Sequence, residues 1–77
     1  VKASAQNGSV ILNGVETDIN TDEIIAGNNI DLSTTTSGNI NIINAITADG
    51  YIRLNSAEAL NVTQNITSTG SSVTLGA

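Results

Sequence analysis

The sequence predicts an all-β fold: a parallel β-helix, or β-solenoid, of about four turns of roughly 20 residues each, filling residues 1–77 as a single segment. Three observations carry this. Ile (11 residues), Asn (11), Thr (10) and Ser (8) dominate, while Phe, Trp, Met, His, Pro and Cys are absent and Tyr51 is the sole aromatic; this is a composition of strands and turns. Aliphatic residues alternate with polar ones, as in 38-GNINIINAITADGYIRLN-55, which is the period of a short strand whose side chains point to opposite faces. The pattern also repeats. A glycine followed by an aliphatic and, two residues further on, a leucine occurs four times, with those leucines at 12, 32, 54 and 75 and gaps of 20, 22 and 21, and such self-similarity marks stacked turns.

The copies can be read in order. The first, 8-GSVIL-12, supplies Gly8, Val10 and Leu12; 1-VKASAQ-6 before it carries least of the pattern, so Lys2 is expected in a frayed terminus. The second, 19-INTDEIIAGNNIDL-32, fits with Ile19, Thr21, Ile25, Gly27, Ile30 and Leu32 after a two-residue shortening before the glycine. Residues 38–57 and 58–77 superpose at an offset of 20, with Ile40 on Leu60, Ile42 on Val62, Ile46 on Ile66, Ala48 on Ser68 and Gly50 on Gly70. One added residue then brings Ile52 and Leu54 onto Val73 and Leu75.

The expected inward columns are therefore Val10–Ile30–Ile52–Val73, Leu12–Leu32–Leu54–Leu75, Ile40–Leu60, Ile42–Val62 and Ile25–Ile46–Ile66, with turn glycines at Gly8, Gly27, Gly50 and Gly70. Hairpin signals are scarce, with Asn7-Gly8 and Asn13-Gly14 both read as turns near one end, so coiling rather than antiparallel pairing is expected. Outward positions include an asparagine ladder, Asn20, Asn41 and Asn61, of the kind that stacks well in cross-β arrays. Asp31 and Arg53 fall on adjacent turns as an exposed pair, worth only about 0.2–1 kcal/mol. A right-handed coil is preferred over a left-handed one, whose 18-residue turn would put Glu58 in the Ile40 column.

Composition narrows the function. Lys2 and Arg53 face seven carboxylates, a net charge of −5, which argues against nucleic-acid binding because that needs a basic stripe and stacking aromatics. Apolar runs such as Ile24-Ile25-Ala26 fall far short of the ~20 residues that membrane insertion needs. No signal-peptide pattern is present and Val1 stands first, so the chain is read as a piece of something larger.

Catalysis and cofactors find little support. Without His or Cys no nucleophile constellation can be assembled, and Asp49 and Glu58, the acids of the second half, lack a basic or aromatic cluster beside them. Asp18, Asn20 and Asp22 alternate as in a calcium loop, but the sixth position is Glu23 rather than Gly and the twelfth is Asn29 rather than Glu. A solvated acidic turn is the favoured reading, with no metal and no cofactor. The threonines of 33-STTTS-37 do not recur at one outward site, which removes an ice-binding array. The sequons at Asn7, Asn61 and Asn65 are expected by chance in a chain this rich in Asn, Ser and Thr.

The stretches 27-GNNIDLSTTTSGNINI-42 and 58-EALNVTQNITSTGSSVTL-75 resemble the repeats of filamentous-haemagglutinin-type adhesins, with short Gly-Asn/Ser-Ile/Val-x-Leu turns and Thr/Ser/Ala-rich spacers. That resemblance covers most of the chain. It implies a secreted or cell-surface location, a right-handed β-helix, a bacterial two-partner-secretion-like exoprotein and no catalytic residue. The expected function is a structural segment of an adhesin or stalk that gives a stiff, repetitive extracellular shaft. Its partners are neighbouring solenoid turns, with any cell-surface or carbohydrate receptor engaged elsewhere. The alternative is a self-assembling extracellular fibre subunit, like a functional amyloid, in which identical subunits stack end to end through open strand edges. The chain departs from a seamless tandem unit: only 14 residues would separate Leu75 from the Leu12 of a following copy.

The column alignment makes one substitution decisive. Ile52→Asp places an unpaired carboxylate between two turns, a cost of several kcal/mol, and strand signal in circular dichroism is expected to collapse. Retained strand content with unchanged melting would contradict the alignment.

Overall fold

Alternating aliphatic and polar residues, interrupted every few positions by Gly, Asn or Ser, allow only short extended stretches. The chain forms eleven strands and no helix: β1 (Ala3–Ala5), β2 (Val10–Val15), β3 (Ile19–Thr21), β4 (Ile24–Ala26), β5 (Ile30–Thr35), β6 (Ile40–Ile42), β7 (Ile46–Ala48), β8 (Ile52–Asn55), β9 (Leu60–Val62), β10 (Ile66–Ser68) and β11 (Val73–Gly76). The computed structural model describes all residues, 1–77.

Every third strand joins the same sheet, so three strands make one turn. The sheets are β1-β4-β7-β10, β2-β5-β8-β11 and β3-β6-β9, all parallel. Paired residues lie 20 to 22 positions apart in the sequence, as in Asn41↔Asn61, Val73↔Ile52 and Ile24↔Ile46. The chain is therefore a β-solenoid of about four turns. Leu60 pairs with Ile40, an offset incompatible with an 18-residue turn.

Inward side chains form columns: Val10–Ile30–Ile52–Val73, Leu12–Leu32–Leu54–Leu75, Ile19–Ile40–Leu60 and Ile24–Ile46–Ile66. The middle members, Ile30, Leu32, Ile40, Ile42, Ile46, Ile52 and Leu54, are completely buried because each has a turn above and below. End members are not. Val62 (40% exposed), Val73 (41%) and Leu75 (52%), read from the sequence as core, stand open on the last turn, and Leu60 and Ile66 are only partly covered. A solenoid has no hydrophobic centre apart from its stacking, so burial stops where the stack stops.

Four further sequence expectations are corrected. Ile25 is 42% exposed, and its neighbour Ile24 takes the inward place over Ile46. Two residues connect β3 to β4 where three connect β6 to β7, and a one-residue change in the register of a strand exchanges its two faces. For the same reason Gly27 falls outside the Gly50 position: the Gly50 N–H donates to the Asn28 carbonyl, and the Asn28 N–H to that of Gly8. Asn13-Gly14 marks no turn but lies inside β2, with Gly14 buried beneath Thr34. The first residues are paired rather than frayed. Ala3 and Ala5 carry the Ile24 and Ala26 columns onto a first turn, and Val1 bonds Asn20 and Asp22 at the open side of β3.

One interior position is chemically mismatched. Thr21 lies in the Ile42–Val62 column, fully buried, and its hydroxyl finds no hydrogen-bond partner. Thr21→Val keeps the shape and removes the orphaned donor. It is expected to stabilise the fold by about 1 kcal/mol, raising the melting temperature by about 4–8 °C in a thermal circular-dichroism scan. A lower melting temperature would contradict this account.

Candidate functional site

Strands satisfy their backbone groups through the sheets, whereas corners between sheets do not, and polar side chains concentrate there. The corner after β5 is the most elaborate. Gly38 is buried with φ of 120°, a conformation that suits glycine, and a Cβ there would overlap the Thr17 carbonyl of the turn before. Thr34 and Ser56, one turn apart, point inward beside it and are both buried. The Thr34 hydroxyl donates to the Gly38 carbonyl at 2.9 Å and accepts from the Ala57 N–H at 2.8 Å. The Ser56 hydroxyl lies 2.7 Å from the Ala59 carbonyl and 3.1 Å from that of Gly38. Glu58 Oε1 accepts from the Gly38 N–H at 2.7 Å. Thr34 and Ser56 thus carry a polar hinge at this corner, bonded to Gly38, Ala57 and Ala59, with Glu58 joining from the exposed side.

A second device recurs at other corners: a side-chain oxygen of one turn accepts the N–H of the equivalent corner one turn on. Ser9 accepts from Asn29, Asn29 from Tyr51, Asp18 from Asn39, and Asn39 from Ala59, at 2.7–3.2 Å. Each bond spans 20 to 22 residues, the length of one turn. These side chains continue the ladder across bends where strand pairing lapses.

The outward asparagines form a directed chain. Asn41 Nδ2 donates to Asn20 Oδ1, and Asn61 Nδ2 to Asn41 Oδ1, both at 2.8 Å. Asp31 and Arg53 are paired at 3.4 Å, with the guanidinium more than half exposed. Ser33 donates to Asn13 on the same outer face at 3.3 Å.

The calcium candidates are dispersed among these tasks. Asp18 caps the Asn39 N–H, Asn20 begins the ladder, and Asp22 lies 3.8 Å from the N-terminal ammonium. Period-2 spacing on a strand sends alternate side chains to one face, but the chain bends at both ends of β3 and separates the acids. No three His, Cys, Asp or Glu side chains gather in a group that could hold a metal ion. One cleft, of about 380 Å³, opens at the N-terminal end among Val1, Leu12, Gly14, Asp18, Ile19 and Asn20.

Sequence reasoning missed the Thr34–Ser56–Gly38–Glu58 hinge. Its signal was present: Thr34 and Ser56 both stand two residues after a column leucine, an inward parity that small hydroxyl residues share with aliphatics. The comparisons with known proteins add nothing further, since the chain matches no family model, no curated protein and no solved structure.

The hinge sets an expected ranking. Thr34→Val leaves the buried-side Ala57 N–H without its acceptor, though the Gly38 carbonyl keeps the Glu58 N–H, and is expected to cost about 1–3 kcal/mol, while Asn41→Ala, on the outer surface, costs about 1 kcal/mol or less. Urea denaturation midpoints measure both, and a larger loss for Asn41→Ala would overturn the ranking.

Proposed function

We infer that this chain is a structural segment of a secreted or cell-surface adhesin or stalk, one that contributes length, stiffness and a repetitive surface rather than chemistry. The observation that carries this reading is how the polar side chains are used. Asp18, Asn29, Asn39 and Glu58 at the corners are committed to the neighbouring turn, and no connection between strands exceeds four residues. Recognition and catalysis normally use loops that a scaffold displays, and this chain displays none of length. The likeness of 27–42 and 58–75 to filamentous-haemagglutinin-type repeats supports the same reading and supplies its extracellular setting. A receptor-binding element then belongs to another region, and this segment holds it at a distance.

A second reading, a fibre subunit that assembles end to end, is favoured by one observation: the apolar columns stand open at Val62, Val73 and Leu75. Unpaired parallel edges of this kind are templates for further strands.

Immunogold labelling with antibodies raised against the folded chain tests the location. Label on intact, unpermeabilised source cells or on their shed filaments is expected. Label confined to permeabilised cells would overturn the extracellular reading while leaving the solenoid untouched.

A further inference from the structure

Asparagine followed by glycine is especially prone to losing its side-chain amide, because no side chain on the glycine hinders attack by its nitrogen or restricts the backbone. Two such pairs occur here, Asn7-Gly8 and Asn13-Gly14, together with the related Asp49-Gly50. At Asn13 the reaction would run as an intramolecular acyl transfer. The Gly14 amide gives its proton to base, and its nitrogen attacks the side-chain carbonyl carbon of Asn13. The bond to Nδ2 breaks and the departing amide takes a proton from solvent, leaving as ammonia and closing a succinimide ring. Water then opens the ring at either carbonyl. The products are aspartate with an ordinary backbone, or isoaspartate, whose backbone runs through the side chain and is longer by one carbon. Water is consumed, ammonia is released, and nothing is oxidised or reduced.

Solvent access favours this chemistry, since Asn13 is exposed on the outer face of β2. Geometry opposes it. Ring closure needs the Gly14 nitrogen and the side-chain carbon on the same side of the Cα–C bond, a ψ far from the about +115° of a parallel strand. β2 holds Asn13 extended, in register Asn13↔Ser33 and Gly14↔Thr34. The Val10 and Glu16 amides donate to the carbonyls of Asn29 and Thr35. Alternate residues of a parallel strand bond to the same neighbour, so Gly14, between them, donates to the Ser33 carbonyl and its nitrogen is engaged. The electrophile is held as well, because Asn13 Oδ1 accepts from the Ser33 hydroxyl at 3.3 Å. Gly14 is buried, and a Cβ on it would meet Thr17 at 3.1–3.2 Å, so the peptide has little room to swing. A similar clamp holds Asp49-Gly50. There the Gly50 N–H donates to the Asn28 carbonyl at 2.6 Å and Asp49 Oδ1 accepts from the Thr69 hydroxyl at 3.1 Å.

We propose that Asn13 is a modification site gated by the fold: inert while β2 lies on β5, and converted to isoaspartate or aspartate when the two strands part. The isoaspartyl product cannot return to the ladder. Its added backbone carbon displaces Gly14 and Val15 along the strand relative to Thr34 and Thr35, so the bond to Ser33 and the fit against Thr17 are lost together. The chain thereby records covalently the time its second and fifth strands have spent apart. Every contact invoked at Asn13 lies within residues 10–35, and the proposal is independent of where the chain resides.

Peptide mapping by mass spectrometry that separates aspartyl from isoaspartyl forms tests this, in mildly alkaline buffer with and without urea, while far-ultraviolet circular dichroism monitors the fold. In urea Asn13 and Asn7 are expected to react at similar rates, since each precedes glycine in an unfolded chain. In buffer Asn13 is expected to react at least about tenfold more slowly than in urea, because only the open fraction can cyclise. Ile52→Asp, unfolded without urea, is expected to restore the faster rate at Asn13, which separates loss of the fold from an effect of urea itself. For the return step the chain is aged in urea with Asn7→Gln silencing the other Asn-Gly pair, then refolded by dilution. Isoaspartate at position 13 is expected to be depleted from the refolded fraction, whereas Asn13→Asp, with the same charge and an ordinary backbone, folds and melts like the unmodified chain. Equal rates at Asn13 with and without urea in a chain of intact strand signal would overturn the gating, as would a slow rate in unfolded Ile52→Asp. Undepleted isoaspartate in the refolded fraction would overturn the irreversibility. Loss of strand signal in buffer would overturn the fold and the gating with it.

Discussion

Parallel pairing between residues one turn apart is the constraint on which the rest of this structure depends. It brings like side chains into columns, and β-branched Ile and Val pack well on copies of themselves at about 4.8 Å spacing. It also brings like polar groups together, so that an asparagine finds another asparagine above it and a chain of 2.8 Å amide bonds follows. The absence of Phe, Trp and Met has the same origin, since the interior is one strand-width columns of aliphatics with little space for larger groups. Where the column partner does not match, the consequence is visible as the unpaired hydroxyl of Thr21 beneath Ile42.

Corners impose the second requirement. Extended strands cannot turn without losing ladder bonds, and the chain replaces these with side-chain acceptors that reach to the next turn. This explains why Asn, Ser and Asp populate the positions before strands. It also explains strain where a suitable residue is lacking. Thr36 holds a φ of 71° with the Ser37 N–H bonded to the Thr35 carbonyl, a tight turn in a region that β-branched residues avoid. At Gly38, two residues later, the sequence supplies the glycine that a still more crowded site demands.

Legibility from sequence followed the strength of the column signal. Ile40, Ile42, Ile46, Ile52, Leu32 and Leu54 sit in clear period-2 alternation, and Asn20, Asn41 and Asn61 recur at offsets of 21 and 20, so their places could be read directly. Ile24-Ile25 could not be resolved, because either isoleucine fits the pattern and a single residue lost between β3 and β4 decides which one points inward. The strand Ala3–Ala5 was hidden because alanine carries no strand signal, although its small side chains suit the end of a column. Asn13-Gly14 has the local chemistry of a turn, but tertiary pairing with Ser33 and Thr34 overrides it. Exposure at Val62, Val73 and Leu75 lies beyond any column argument, since a column shows what stacks and not what covers its last member.

The central claim, that stability comes from in-register stacking and so declines toward both ends, is tested most directly by residue-resolved amide hydrogen exchange on dilute, monomeric protein. The slowest exchange is expected at Ile40, Ile42, Ile46, Ile52 and Leu54. On the last turn the amides of Asn61, Thr67 and Thr74 are expected to be protected while those of Leu60, Val62, Ile66, Val73 and Leu75 exchange quickly, the alternation that a one-sided parallel ladder imposes. Uniform protection from end to end, or protection in pairs of adjacent strands as in hairpins, would contradict the account.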